Sequence, residues 1–148
     1  MSKAAEIPFE TTRLVRDTCL CLHLQRAARA LARRFDDAFR PLGLTSGQYS
    51  MLMSLNRPEP PSIGSVASLL AMDRTTLTAA LKPLNRRGLV AVAIDADDRR
   101  SRRLKLTPSG RALLARAVPV WRRTHAEVDR LLPRGRPDRL RRDLHTLS

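Results

Sequence analysis

Aromatic residues are nearly missing from this 148-residue chain, which has three Phe, one Tyr and one Trp. So sparse a set excludes the stacking platforms that hold single-stranded nucleic acids. Two cysteines, Cys19 and Cys21, are too few for a disulfide scaffold and point to a reducing, cytoplasmic setting. The six glycines are scattered, and none builds a phosphate-cradling loop. No apolar run approaches the ~20 residues of a membrane span, and no signal-peptide pattern is visible. No nucleophile–base pair or carboxylate dyad marks an enzyme. No cofactor or metal is expected. Acid is also scarce, with 14 Asp+Glu against 28 Lys+Arg and a net charge of +14.

What the chain does have is arginine. Lys3, Lys82 and Lys105 are its only lysines, which leaves 25 arginines. The planar guanidinium fork suits phosphate and base edges, and so basic a balance implies a polyanionic partner.

Residues 62–110 are the most patterned stretch. Ser62 is a helix N-cap, since its hydroxyl can accept an unpaired amide. Ile63, Val66, Ala67 and Leu70 then recur at helical spacing. Asp73 caps a second helix with the stripe Leu77, Ala80, Leu81 and Leu84. Gly88 ends it, because glycine readily takes the left-handed backbone of a helix C-terminus. The run at 89–94 is β-rich, and 103–107 alternates polar and apolar. The charged residues 95–102 between them form an exposed turn. Two helices followed by a β-ribbon make a winged helix-turn-helix, which offers its second helix to the major groove of DNA.

The expected fold is mainly α with a small β-wing, in one unit spanning 1–148. Residues 1–12 lack periodicity and read as a loose arm. A long helix is expected over about 13–40, with the stripe Leu20, Leu24, Ala27, Leu31, Phe35 and Ala38. At ~1.5 Å per residue it would reach on the order of 40 Å, too long for one small core. Pro41-Leu42-Gly43-Leu44 breaks it. Thr45 and Gln48 then have capping-box form, with Leu44 and Tyr49 placed as a hydrophobic staple. The helix that follows reaches about residue 56, and a proline-rich linker leads to the winged helix, about 45–107. After the wing, Thr107 caps a helix whose first residue is Pro108. It carries Leu113, Leu114, Ala117, Val118, Trp121, Val128, Leu131 and Leu132, and should bend at Pro119. A short helix over about 137–147 follows, with Leu140, Leu144 and Leu147. The regions 13–40 and 108–148 are apolar along stripes that one monomer cannot cover. They are therefore expected to be dimerisation helices, holding two reading helices about one DNA turn, ~34 Å, apart.

This order of elements resembles the multiple-antibiotic-resistance regulator (MarR) family. The resemblance rests on Asp73-Arg74-Thr75-Thr76-Leu77-Thr78, on Leu84-Asn85-Arg86-Arg87-Gly88-Leu89-Val90, and most of all on the run from Asp95-Ala96-Asp97-Asp98-Arg99-Arg100-Ser101-Arg102 through Thr107-Pro108-Ser109-Gly110, which looks like the family's wing signature. The resemblance implies a homodimeric transcriptional regulator bound to a palindromic operator, usually a repressor released by a small molecule or an oxidant. The alternative is a basic architectural protein that binds duplex DNA without regard to sequence. The two differ in symmetry, since a regulator needs a dimer and a palindromic site.

The buried stripe of the second helix leaves Thr75, Thr78, Ala79, Lys82 and Arg86 facing away. Small residues allow close approach, threonine bonds several base edges, and Lys82 reaches a base or a phosphate. Arg74 in the first turn sits where phosphate and helix amides meet. Ser62 and Thr76, at the two helix starts, and Arg102 on the wing complete the candidate set. At the tip, Arg99 and Arg100 are candidates for a narrow A·T-rich minor groove, and the resemblance favours Arg100. Asp97 or Asp98 should pair with an arginine to hold the loop, and only one of Arg102 and Arg103 should face phosphate.

On an intact helix Cys19 and Cys21 stand about 200° apart and cannot share a disulfide. Cys19 lies near His23, four residues on. The segment Leu20-Cys21-Leu22-His23-Leu24-Gln25-Arg26 resembles the organic-hydroperoxide-sensing branch of the family, whose reactive cysteine matches Cys21. The tyrosines that serve that thiolate are matched here by Gln25, Phe35 and Ser46, so the thiol is expected to lack donors. Cys21 is either a redox switch or a packing residue. Trp121 is either dimer core or the wall of an effector pocket. The resemblance implies aromatic acids and similar compounds in that region.

Overall fold

In the computed structural model the described residues are 5–148. They form α1 (Phe9–Thr18), α2 (Leu20–Phe39), a 3₁₀ turn (Arg40–Leu42), α3 (Ser46–Ser54), α4 (Ile63–Leu69), α5 (Arg74–Arg86), the wing strands β1 (Val90–Ile94) and β2 (Arg102–Leu106), α6 (Pro108–Asp129) and α7 (Arg136–Leu147). This is the mainly helical winged helix-turn-helix expected, with a two-stranded antiparallel ribbon in which Val90 faces Leu106 and Ile94 faces Arg102.

Local signals set most of the boundaries. Thr45 and Gln48 close a full capping box at α3, and both staple residues, Leu44 and Tyr49, are buried. Asp36 Oδ1 also accepts the Ser46 amide at 2.6 Å, tying α2 to the start of α3. The Ser62 hydroxyl accepts from the Ser65 amide at 3.1 Å. Thr107 Oγ1 accepts the Gly110 amide at 3.0 Å and donates to the Gly88 carbonyl, pinning the wing's base to α6. Gly88 follows the C-cap of α5 with φ at +70°, as a helix-terminating glycine requires. Helices α5 and α6 continue through Pro83 and Pro119, which remove one amide donor each.

Three boundaries differ from expectation. The arm is shorter, because helix begins at Phe9; its first four residues lie outside the described ones. The helix expected over 13–40 is two helices, split at Cys19. There the backbone is extended (φ −70°, ψ 109°), and the Cys19 sulfur caps α2 by accepting the Leu22 amide at 3.5 Å. Thr18 Oγ1 turns back onto the Leu14 carbonyl at 2.7 Å, competing with the backbone for that acceptor. At the other end α6 stops at Asp129, three residues before Leu132.

The core lies between Phe39 and Ala117. Phe39, Leu52, Val66, Leu77, Leu84 and Leu104 are fully enclosed, drawn from α2, α3, α4, α5 and β2. The proline linker joins this unit through a bond from the Leu104 amide to the Pro61 carbonyl at 2.9 Å and a bridge between Ser62 and Arg103. Helices α1 and α7 bury no residue.

Candidate nucleic-acid interface

Helix α5 is fixed by its start and its inner face. Asp73 accepts the Thr76 amide at 2.8 Å and the Thr76 hydroxyl at 2.6 Å. These two bonds, the hydroxyl's first, hold the Asp73 carboxyl below the usual carboxylate range. Leu77, Leu81 and Leu84 anchor the helix in the core. Thr75, Thr78, Ala79, Lys82 and Arg86 are all exposed on the opposite side. Thr76 is exposed too, but its hydroxyl proton is committed to the cap, so its oxygen can only accept. The Ser62 hydroxyl accepts from Ser65 and keeps its own proton to give.

The wing tip is a hydrogen-bonded turn. The Ser101 amide donates to the Asp98 carbonyl (2.9 Å), and the Asp95 amide to the Ser101 carbonyl (3.1 Å). The acid that pairs with an arginine is Asp95, where Asp97 or Asp98 was expected. Its Oδ2 accepts Arg103 Nε at 2.7 Å and its Oδ1 accepts the Asp97 amide at 2.9 Å. The reason is register: Ala93 faces Arg103, so Asp95, two residues on, shares Arg103's face of the ribbon. The Asp97 amide and Arg103, in that order, lower the Asp95 carboxyl. Asp98 accepts the Arg100 amide at 3.0 Å, a turn contact rather than an ion pair. Arg103 is thus turned away, and Arg102 takes the other face, with Nη1 donating to the Arg99 carbonyl at 3.0 Å. Among the described residues Arg74, Arg99 and Arg100 meet no carboxylate.

Arg74, Thr78, Arg100 and Arg102 come together around one recess of about 250 Å³, bounded also by Ser62 and Gly64. Lys82, Arg86 and Arg99 lie outside it. The sequence offered no sign of Gly64 or of the Asp95–Arg103 pair, since both depend on α4 and the ribbon folding against their neighbours.

A second cavity, of about 600 Å³, lies between α3, the end of α4 and α6. Its wall includes Tyr49, Met53, Leu70, Val118, Trp121 and Arg122. Trp121 stacks on His125 with ring centroids 4.8 Å apart, and Tyr49 stacks on Phe39 at 4.7 Å. Burial pushes the Tyr49 phenol up, against the smaller opposite pull of Arg122. The cavity is apolar along Met53, Leu69, Leu70, Val118 and Trp121, with the hydroxyls of Tyr49, Ser50 and Ser54 and the Arg122 guanidinium completing its lining.

The cysteines are not as expected. Cys19 sits at the helix break, so the 200° separation does not describe the pair. His23 Nδ1 donates to the Cys19 carbonyl at 2.7 Å, which turns that ring nitrogen to the backbone and away from the thiol. Cys21 is exposed, and the Gln25 amide donates to its sulfur at 3.3 Å, so one of the positions matched to a tyrosine does supply a donor.

Comparison with known proteins agrees with this fold. Residues 44–101 match the MarR family. The structure of the transcriptional regulator MosR of M. tuberculosis in complex with DNA superposes with a TM-score of 0.80 at 40% identity, covering 88% of this chain and 93% of that one. The transcriptional repressor CouR of Rhodococcus jostii RHA1, bound to a 23-mer DNA duplex, gives 0.80 at 30% identity over 97% and 99% of the two chains. The transcriptional activatory protein BadR of Rhodopseudomonas palustris is 37% identical over 113 residues, which are 74% of this chain and 65% of that protein, so the match spans less than two thirds of BadR. The chain belongs to the MarR family of winged-helix transcriptional regulators.

Proposed function

We propose that the chain acts as a homodimer on a palindromic operator in duplex DNA and represses transcription until a signal releases it. The observation that carries the reading is the exposed face of α5, with Thr75, Thr78, Ala79, Lys82 and Arg86 beside a wing whose Arg99 and Arg100 meet no carboxylate among the described residues. Arginines left free at a ribbon tip suit the narrow minor groove, while the threonines suit base edges. Dimerisation through residues 13–40 and 108–148 is supported by the apolar side chains those regions leave in water, among them Leu20, Leu131 and Leu147 at 60–65% exposure. The repressor sense follows CouR, which aligns over nearly the whole chain; BadR, matched over less, is named as an activator.

Footprinting on the DNA beside the gene, followed by fluorescence anisotropy on the protected site, tests the reading. We expect a two-fold symmetric footprint and salt-sensitive binding. Arg100→Ala should weaken it by about 5- to 150-fold, the equivalent of the about 1–3 kcal/mol of a good contact, and Lys82→Ala less. Equal affinity for any duplex would return the protein to the architectural alternative.

For the signal, the cavity beside Trp121 suits a small aromatic molecule carrying one anionic group, its ring against Trp121 and its charge toward Arg122. Trp121 is the sole tryptophan, so its fluorescence reports occupancy directly. The exposed Cys21 thiol with its Gln25 donor supports a second reading, an oxidant signal. Operator release by hydroperoxide in the parent chain but not in Cys21→Ser separates the two.

A further inference from the structure

We infer that Gly64 positions Arg74, and that the recess where they meet holds one backbone phosphate of duplex DNA. The inference rests on the proposed DNA binding and adds to it a residue that need touch no base.

Gly64 lies in α4 with ordinary helical backbone, so no special φ demands glycine there. What a side chain would meet explains it. A Cβ on Gly64 would stand 2.8 Å from Arg74 Nη2, 3.3 Å from its Cζ and 3.6 Å from its Nε. The Arg74 guanidinium therefore packs over Gly64 with its Nη2 end foremost, closer than a methyl group there would allow. Both faces of the recess then contribute. Arg100 and Arg102 come from the wing, Ser62 and Thr78 bring hydroxyls from α4 and α5, and no carboxylate lines the space. Arg74 keeps its fork free of ion pairs among the described residues, and Arg102, tied back through Nη1, keeps Nη2 to give, which leaves Arg100 at the rim for the minor groove. Guanidinium groups and hydroxyl donors around a space of about 250 Å³ match a singly charged tetrahedral diester. A backbone phosphate is favoured over a base because the recess brings three guanidinium groups to one point with no carboxylate among its lining.

The atoms that crowd the missing Cβ are the far end of a long, exposed side chain, so they can swing away without disturbing the core. Gly64→Ala should therefore leave the fold intact, with alanine the better helix former, while displacing Arg74 from the phosphate. This separates the positioning role from a purely structural one.

The test uses full-length chain and a labelled random-sequence duplex of about 25 bp, long enough for two half-sites one turn apart, at several salt concentrations. Random sequence suffices because removing a phosphate-binding group weakens all sequences alike. The expected result is that Gly64→Ala binds about tenfold more weakly with thermal unfolding no lower than the parent's, and that the slope of log affinity against log salt falls by about 0.9 for each phosphate no longer neutralised. In an Arg74→Ala background, Gly64→Ala should cost nothing further. Wild-type affinity for Gly64→Ala, or an undiminished loss in the Arg74→Ala background, overturns the inference. If Arg100→Ala still weakens binding in that case, DNA recognition stands and only the role of Gly64 falls. A parent chain with no salt-dependent affinity for the duplex overturns both.

Discussion

The centre of this chain and its two ends are built on opposite terms. From Phe39 to Ala117, apolar side chains find one another, and Leu52, Leu77, Leu84 and Leu104 are wholly enclosed. In α1 and α7 no residue is buried, although Leu14, Leu140 and Leu147 are as apolar as those of the core and stand 61%, 44% and 60% exposed. The winged unit thus has its own core, while the ends carry the same kind of surface with nothing to cover it. At roughly 25 cal/mol per Å² of apolar area, that exposure is a standing incentive to pair. The two regions should therefore respond to different perturbations, the centre to packing and the ends to concentration.

The largest expected effect comes from charging the ends. Leu140→Glu combined with Leu144→Glu should reduce the mass measured by light scattering from the twice 16.6 kDa of the proposed dimer to 16.6 kDa. Operator affinity should fall by about 10²–10⁴-fold, as two linked reading heads become independent. Unfolding of the winged unit should hardly move. A variant that remains dimeric would remove α7 from the interface and make the contrast one of exposure alone.

The reverse perturbation acts at the centre. Gly110 sits in the first turn of α6 where a Cβ would stand only 2.1 Å from the Leu89 carbonyl oxygen. That neighbour is backbone and cannot rotate away as Arg74 can. Gly110→Ala must part the wing's base from α6, at about 1–3 kcal/mol, or roughly 2–4 °C of melting temperature per kcal/mol for a chain this size. Differential scanning calorimetry should show that loss with the dimer unchanged. A melting point within about 1 °C of the parent, less than the shift that 1 kcal/mol would produce, would mean that the joint is softer than its geometry.

This split also accounts for what could be read from the sequence. The centre was legible because its instructions are local. Ser62, Asp73 and Thr107 each precede an apolar stripe, Thr45 and Gln48 stand at capping-box spacing, and Gly88 marks a helix end. The break at Cys19 was not legible, because neither proline nor glycine stands there and a thiol is a weak cap. The Asp95–Arg103 pair was missed because two nearby aspartates offered equally good spacing, and only the ribbon register chooses between them. Gly64 was invisible for a related reason, as its meaning lies in a side chain ten positions away that reaches it through the helix-turn-helix. Among the site residues, those on the outer face of α5 followed from periodicity, whereas the convergence of Arg74, Arg100 and Arg102 required the tertiary fold.

The smallest effect, and the finest test of the contrast, is in acid. Asp73 in the winged unit and Asp138 on α7 both have carboxyls held below the usual range, Asp73 by the Thr76 hydroxyl and amide and Asp138 by the Arg141 guanidinium. A lowered folded value means that the charged form favours the folded state. The contribution is complete above the ordinary Asp value, about 3.9, and disappears as pH falls through the folded value. Both groups are exposed, so each effect is modest. They should nevertheless report on different events. Asp73→Asn keeps a good cap but does not titrate, so it should flatten the acid limb of unfolding measured by circular dichroism and leave the pH of dimer dissociation alone. Asp138→Asn should do the opposite, because Arg141 links Asp138 to Asp129 at 2.6 and 3.1 Å and so fixes α7 against α6. If both variants shift both curves together, core and ends unfold as one unit, and the independence inferred from their burial does not extend to their energetics.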